Sequence, residues 1–131
     1  MSKQIFVNLP VRDLKQSKNF FTKLGFTFNP QFDNDNAACM IINEGNSYVM
    51  FFVEAFFKKF IEKDLSDYLD CKEVFTALST DSKEKVDELM NKALYYGASE
   101  ARKTQDYGFM YRRSFIDLDG HIWEIFWWDM D

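Results

Sequence analysis

The sequence predicts an α+β protein made of two βαβββ modules. Each module is a curved mixed sheet around a concave face, with a helix on the convex side. Three observations predict it. The order strand, helix, three strands occurs twice. Each helix opens at an Asp-led cap and closes at a glycine, Gly25 in one half and Gly97 in the other. Each half ends in a glycine-turned hairpin leading into an aromatic strand. A repeat of about half the chain means a pseudo-symmetric fold.

The elements follow in order. Residues 4–11 alternate as a strand, with Ile5, Val7 and Leu9 on one face and Phe6 and Asn8 on the other. Asp13 with Gln16 three residues on forms a capping box. Leu14, Phe20, Phe21 and Leu24 make the buried stripe of the helix behind it. Residues 26–33 read as a second strand, placed at an edge by Pro30. Residues 36–42 are a third strand. A turn at Asn43–Asn46 returns the chain as a fourth strand over 47–53. Residues 54–71 form a connector, with Phe56, Phe57, Phe60 and Ile61 at helical spacing. It reads as a helix laid on the sheet edge, with a lid or a dimer contact as alternatives.

The second module then repeats the first. Residues 72–79 are a strand, and Asp81 with Glu84 is again a capping box. Val86, Leu89, Met90, Ala93 and Leu94 are the helical stripe. Residues 98–105 are a polar edge strand and 108–116 the next strand. Asp117-Leu118-Asp119-Gly120 is the turn into the last strand, 121–128. The expected organisation is one domain over 1–131, with modules at about 1–53 and 72–131. Such sheets bury their remaining face by pairing, within the chain or across a homodimer.

Composition narrows the function. Of 131 residues, 47% are hydrophobic and 28% charged, an ordinary globular balance. Fifteen Phe call for extensive packed sheet or a large apolar cavity. A net charge of −5 argues against nucleic acid or an anionic membrane as partner. No apolar run approaches the ~18 residues that span a bilayer, and residues 1–10 carry no secretory signal pattern. Cys39 and Cys71 follow no metal or redox spacing and read as free buried thiols in a cytoplasmic protein. No phosphate-binding glycine loop or nucleophile elbow occurs.

Two stretches resemble the vicinal oxygen chelate superfamily, which includes glyoxalase, bleomycin-resistance proteins and extradiol dioxygenases. One is Phe6-Val7-Asn8-Leu9-Pro10-Val11-Arg12-Asp13-Leu14, leading to a helix that ends Lys23-Leu24-Gly25-Phe26. The other is Asp117-Leu118-Asp119-Gly120-His121-Ile122-Trp123-Glu124-Ile125, similar to the family's D-x-D-G-x-x-x-E-[LI] ending. The Phe-rich chain and its extra helix look like a lactoylglutathione lyase-like branch. The resemblance implies a divalent metal held by His, Gln and Glu from the first and fourth strand of each module.

The residues at those positions do not supply that set. The first-strand positions fall on Phe6 and Phe75, and the fourth-strand position of the first module near Val49 or Phe51. Only Glu124 matches. His121, the sole histidine, lies three residues before Glu124, so alternation sends it to the other face. A metal site needs about three or four protein ligands. The expectation is therefore no metal and no other cofactor. Phe6, Asn8, Phe51, Phe75, Arg112, Ile122 and Glu124 would line an aromatic cavity for a small-molecule ligand, aromatic or cationic. A carboxylate among rings loses solvation, which makes Glu124 a candidate acid or base. Arg112, on the same side, could bind an acidic ligand or pair with Glu124. A metal-dependent lyase, isomerase or dioxygenase and a non-catalytic interaction module are the alternatives.

Overall fold

The computed structural model describes residues 3–61 and 74–129. Contacts divide the chain into two compact units, Met1–Lys72 and Glu73–Asp131. Each holds one four-stranded mixed sheet.

The first module runs β1 (Ile5–Val11), α1 (Leu14–Lys23), β2 (Thr27–Phe28), β3 (Ala37–Asn43) and β4 (Ser47–Val53), in the sheet order β1-β4-β3-β2. β1 lies parallel to β4, and the rest is antiparallel. Asp13 caps α1 by accepting the Gln16 N–H at 3.1 Å. A helix interior supplies no partner for its first N–H groups, so this bond fixes where α1 begins. Gly25 ends it at φ +106°, where no neighbour crowds a Cβ, so backbone conformation alone calls for glycine. Phe20 and Phe21 of α1 face the sheet, and Phe21 stacks on Phe51 of β4 with ring centroids 5.1 Å apart. With Val49, Met40 and Ala38 these residues are the module's core.

Two elements here are shorter than the sequence suggests. β2 stops at Phe28 because Asn29 caps a single 3-10 turn, Pro30–Phe32, through its side chain. Proline has no N–H for a ladder but fits the first position of such a turn. The connector opens with α2 (Glu54–Phe57) and a 3-10 turn, Lys58–Phe60. Phe52 contacts the rings of Phe56 and Phe60 at 5.6 and 5.4 Å, so this piece folds onto the sheet face opposite α1. The rest of the expected connector, the first residues of the expected fifth strand, and Cys71 lie outside the described residues.

The second module runs β5 (Thr76–Ser79), α3 (Lys83–Tyr95), β6 (Ser99–Asp106), β7 (Met110–Ile116) and β8 (Ile122–Trp128), in the order β5-β8-β7-β6. β5 is parallel to β8, as β1 is to β4. The cap of α3 is Ser82, not Asp81: its Oγ accepts the Lys85 N–H at 3.2 Å. Both residues are good caps, and the cap falls one position later than the box pattern implies. Gly97 closes α3 at φ +116°, with Leu118 Cδ2 3.1 Å from where a Cβ would stand. Val86, Met90 and Ala93 of α3 and Phe115, Trp123 and Ile125 of the sheet are fully buried. No helix among the described residues is long and apolar enough to cross a membrane.

Candidate functional site: the open sheet faces

Strand alternation and register decide which side chains share a face. In the first module Val49 and Phe51 lie with Val7 and Leu9 on the α1 side. The other, open face carries Phe6 beside Tyr48, Asn8 beside Met50, and Pro10 beside Phe52. Cys39 extends the middle row beyond Met50. Phe6 and Tyr48 stack at 4.8 Å. Asn8 and Phe6 are exposed. Cys39 is a buried free thiol whose pKa is raised, chiefly by burial and then by the charge of Glu44.

Phe51 corrects the expectation that it lines the concave side. It is wholly buried in the α1 core, against Phe21 and Phe28. Every residue from Tyr48 to Val53 is apolar, so periodicity gave β4 no polar face to orient it. Pairing with β1 settles the matter and puts Met50 on the open face opposite Asn8.

In the second module the open face carries Ala77 and Ser79 of β5, Ile122, Glu124 and Phe126 of β8, and Arg112 and Ser114 of β7. Arg112 and Glu124 meet there, with Nη1 3.8 Å from Oε1. The Glu124 side chain is 10% exposed and that of Arg112 31%. Arg112 Nε donates to Gln105 Oε1 of β6, and its guanidinium lies 5.9 Å from the Tyr107 ring. Arg102, level with Ser114 on β6, lies 5.3 Å from the Phe75 ring at the entry of β5. β5 and β6 are opposite edges of this sheet. The pair therefore reaches across the open face over β8 and β7.

The helix side of the same sheet is also charged. Tyr111 Oη donates to Asp87 Oδ1 at 2.6 Å, and Arg113 pairs with Asp87 at 3.0 Å and Glu100 at 3.5 Å. The bond to Asp87 is the main reason that the Tyr111 pKa is raised to about 12.

His121 and Asp117 sit buried in the β7–β8 turn. Asp117 Oδ1 accepts the N–H groups of Asp119 and His121 at 2.8 and 2.9 Å, and Oδ2 accepts the Trp123 indole N–H at 2.8 Å. Desolvation raises the Asp117 pKa, against the opposing pull of His121 and these bonds. The D-x-D-G signature thus builds a turn around its first Asp, a role that its position before the glycine could have signalled.

The structure therefore brings together Arg112, Glu124 and Ile122 on the second module's open face, with Phe75 at its edge, and Phe6 and Asn8 on the first module's. It adds Arg102, Gln105, Ser114 and Met50, which sequence reasoning missed. The paired strands also align the modules by position: Asn8 opposite Met50 in one matches Ala77 opposite Glu124 in the other. Among the described residues no group of three or more His, Cys, Asp and Glu is clustered to hold a metal.

Two parallel edge-to-centre pairings and a helix behind each sheet define a repeated architecture, and solved structures share it. A hypothetical protein, SA1046 from S. aureus, is 29% identical over 96% of this chain and 94% of its own, with a TM-score of 0.79. A glyoxalase-related enzyme from Fulvimarina pelagi is 19% identical over 97% and 88%, with a TM-score of 0.80. The fold is that of the glyoxalase/bleomycin resistance/dioxygenase proteins. A bleomycin resistance determinant encoded on transposon Tn5 shares it too, at 18% identity, covering 98% of this chain and all of its own, with a TM-score of 0.65. Residues 3–43 match the family model for the bleomycin resistance protein-like N-terminal region. A comparison with curated proteins finds no match.

Proposed function

We propose that the protein binds a small molecule without a metal, on the open face of its second module. The observation that carries this reading is the Arg112–Glu124 pair, set among Ala77, Ile122 and Phe126 with Phe75 at the edge. A few convergent polar groups on an apolar surface are what small-molecule sites present. Pairing with Arg112 gives Glu124 a binding and orienting role in place of the acid/base role expected from its sequence context.

The donor chemistry supports the metal-free part. Phenyl rings stand at Phe6 and Phe75, and a thioether stands at Met50, opposite Asn8. Glu124 is the one anionic donor on either open face among the described residues. Divalent ions of the zinc, manganese or iron kind take about three or four imidazole or carboxylate ligands, which this set does not provide. The match of residues 3–43 to a bleomycin resistance-like region and the shared fold of the Tn5 determinant favour binding over turnover. The lactoylglutathione lyase-like alternative depends on the metal.

Elemental mass spectrometry tests this directly, on tag-free protein exposed to nickel, zinc, manganese and iron and then dialysed. Sub-stoichiometric metal is expected. About one ion per chain would overturn the metal-free reading and restore the enzyme. Ligand binding is tested by thermal shift against a panel of aromatic amines, acids and neutral compounds, since a ligand of the native state raises the melting temperature. Glu124→Gln should change the response to at least one class. We also propose a homodimer, supported by the exposure of Ile5 and Val74 at the edge strands. Sedimentation at two concentrations checks it.

A further inference from the structure

We infer that the ligand is an aromatic carboxylate, held by Arg102 with Arg112 on the same sheet face; this rests on the binding reading above. The charge balance of the second module's open face points there. Two guanidiniums, Arg102 and Arg112, share the face with one carboxylate, Glu124. Arg112 is committed to Gln105 and Glu124. Arg102 has no carboxylate partner among the described residues, and its guanidinium lies 5.3 Å from the Phe75 ring.

Space lies beside it. An open groove of about 440 Å³ runs along β6, lined by Glu100, Ala101, Arg102, Lys103 and Thr104. The groove is open to solvent along the edge strand. Glu100 is engaged by Arg113, whereas Lys103, like Arg102, has no acidic partner among the described residues. In a chain of net charge −5, the charges of this groove that have no opposite partner among the described residues are both positive. β6 also departs from regular pairing on both sides of Arg102, between Glu100 and Arg102 and between Arg102 and Gln105. Such bulges re-aim a side chain.

The chemistry follows from the guanidinium. Its planar fork matches a carboxylate through two parallel N–H···O bonds, the strongest class of such contact. Phe75, half exposed beneath it, offers a ring against which an aromatic body packs. A cationic ligand would have to approach Glu124 past two arginines. The cationic ligand that the sequence also allowed is therefore the less favoured one.

The test compares benzoate with benzylamine, which share a ring and differ in charge. Binding is read by two-dimensional NMR of labelled protein, with Kd from titration at low ionic strength. Benzoate should shift the amides of β6, β7 and β8, and Arg102→Gln should weaken it at least tenfold with an unchanged melting temperature. Adding salt should weaken it as well. Benzylamine binding that Glu124→Gln abolishes, with benzoate silent, would overturn the anion assignment and leave the binding reading standing. Benzoate binding unaffected by Arg102→Gln would overturn the role of Arg102. Silence from both probes and from the wider thermal-shift panel would overturn the binding reading and this inference together.

Discussion

The two modules have the same strand order, the same parallel pair and the same helix behind the sheet, yet their open faces differ in kind. The first has Asn8 opposite Met50 among Phe6, Tyr48 and Phe52, with no charged side chain on the paired rows. The second has Ala77 opposite Glu124, with Arg112 beside it and Arg102 across it. Backbone architecture is therefore indifferent to what the face carries, and chemistry resides in a few positions that alternation exposes. One face is a packing surface with an amide in it. The other is a polar site with an apolar surround.

The largest effect should come from testing the two sides of β4. Phe51→Ala empties a ring site stacked on Phe21 in the α1 core. It should cost about 3–5 kcal/mol in chemical denaturation. Met50→Ala, one residue away on the open face, should cost about 1–2 kcal/mol, because that side chain is only half-buried. Equal losses would mean that the two sides of the sheet are equally packed.

The comparison breaks most directly with Met50→Glu. This puts a carboxylate in the first module at the position that matches Glu124, on paired rows that carry no arginine among the described residues. The expected cost is about 2–3 kcal/mol at neutral pH. Desolvation favours the protonated form of such a group, so its folded pKa lies above its unfolded one. Stability is then lost as pH rises through that value and recovered as pH falls. Denaturation at pH 4 and pH 7 checks this, with the smaller deficit expected at pH 4.

Asp117 offers a carboxylate already buried in the second module. Asp117→Asn leaves the Trp123 indole N–H facing either an amide donor or no acceptor, which should cost about 1–3 kcal/mol. Because the folded pKa of Asp117 is raised from 3.8, the wild type loses stability relative to this variant as pH rises above about 4. The deficit of the variant should therefore be widest in acid and narrow toward neutrality. A deficit that widens with pH would show that the hydrogen bonds outweigh desolvation.

The open face of the second module was largely legible in the sequence. The last strand alternates Ile122, Glu124 and Phe126 against Trp123, Ile125 and Trp127, and one charged residue is enough to mark its phase. Arg112 followed from the same logic on the neighbouring strand. The first module was less legible. Its fourth strand is apolar on both faces, so only the pairing of Asn8 with Met50 could choose between Met50 and Phe51. Arg102 and Gln105 were hidden for another reason. β6 is irregular, so a period-two reading loses its phase along the strand, and side chains that cross a face are set by tertiary curl that no local pattern encodes.

The smallest expected effect sharpens the point that charge in the second module is not confined to one face. Tyr111 and Arg113 project to the α3 side of β7 and share Asp87, whereas Arg112 between them projects to the open side. Tyr111→Phe removes one partner of Asp87 and leaves Arg113 in place, so the loss should be about 0.5–1 kcal/mol. The pH dependence gives the sharper readout. The phenol is raised from 10 to about 12 by donating to Asp87, so its contribution is complete below pH 10 and disappears as pH rises through about 12. Ultraviolet titration of the wild type should show one tyrosine ionising about two units late, and Tyr111→Phe should delete that late step. Asp87→Asn should move the step back toward 10 while leaving the Arg112–Glu124 pair intact. If it also altered benzoate binding, the two faces of β7 would be coupled, and the contrast between a structural side and the proposed binding side would have to be given up.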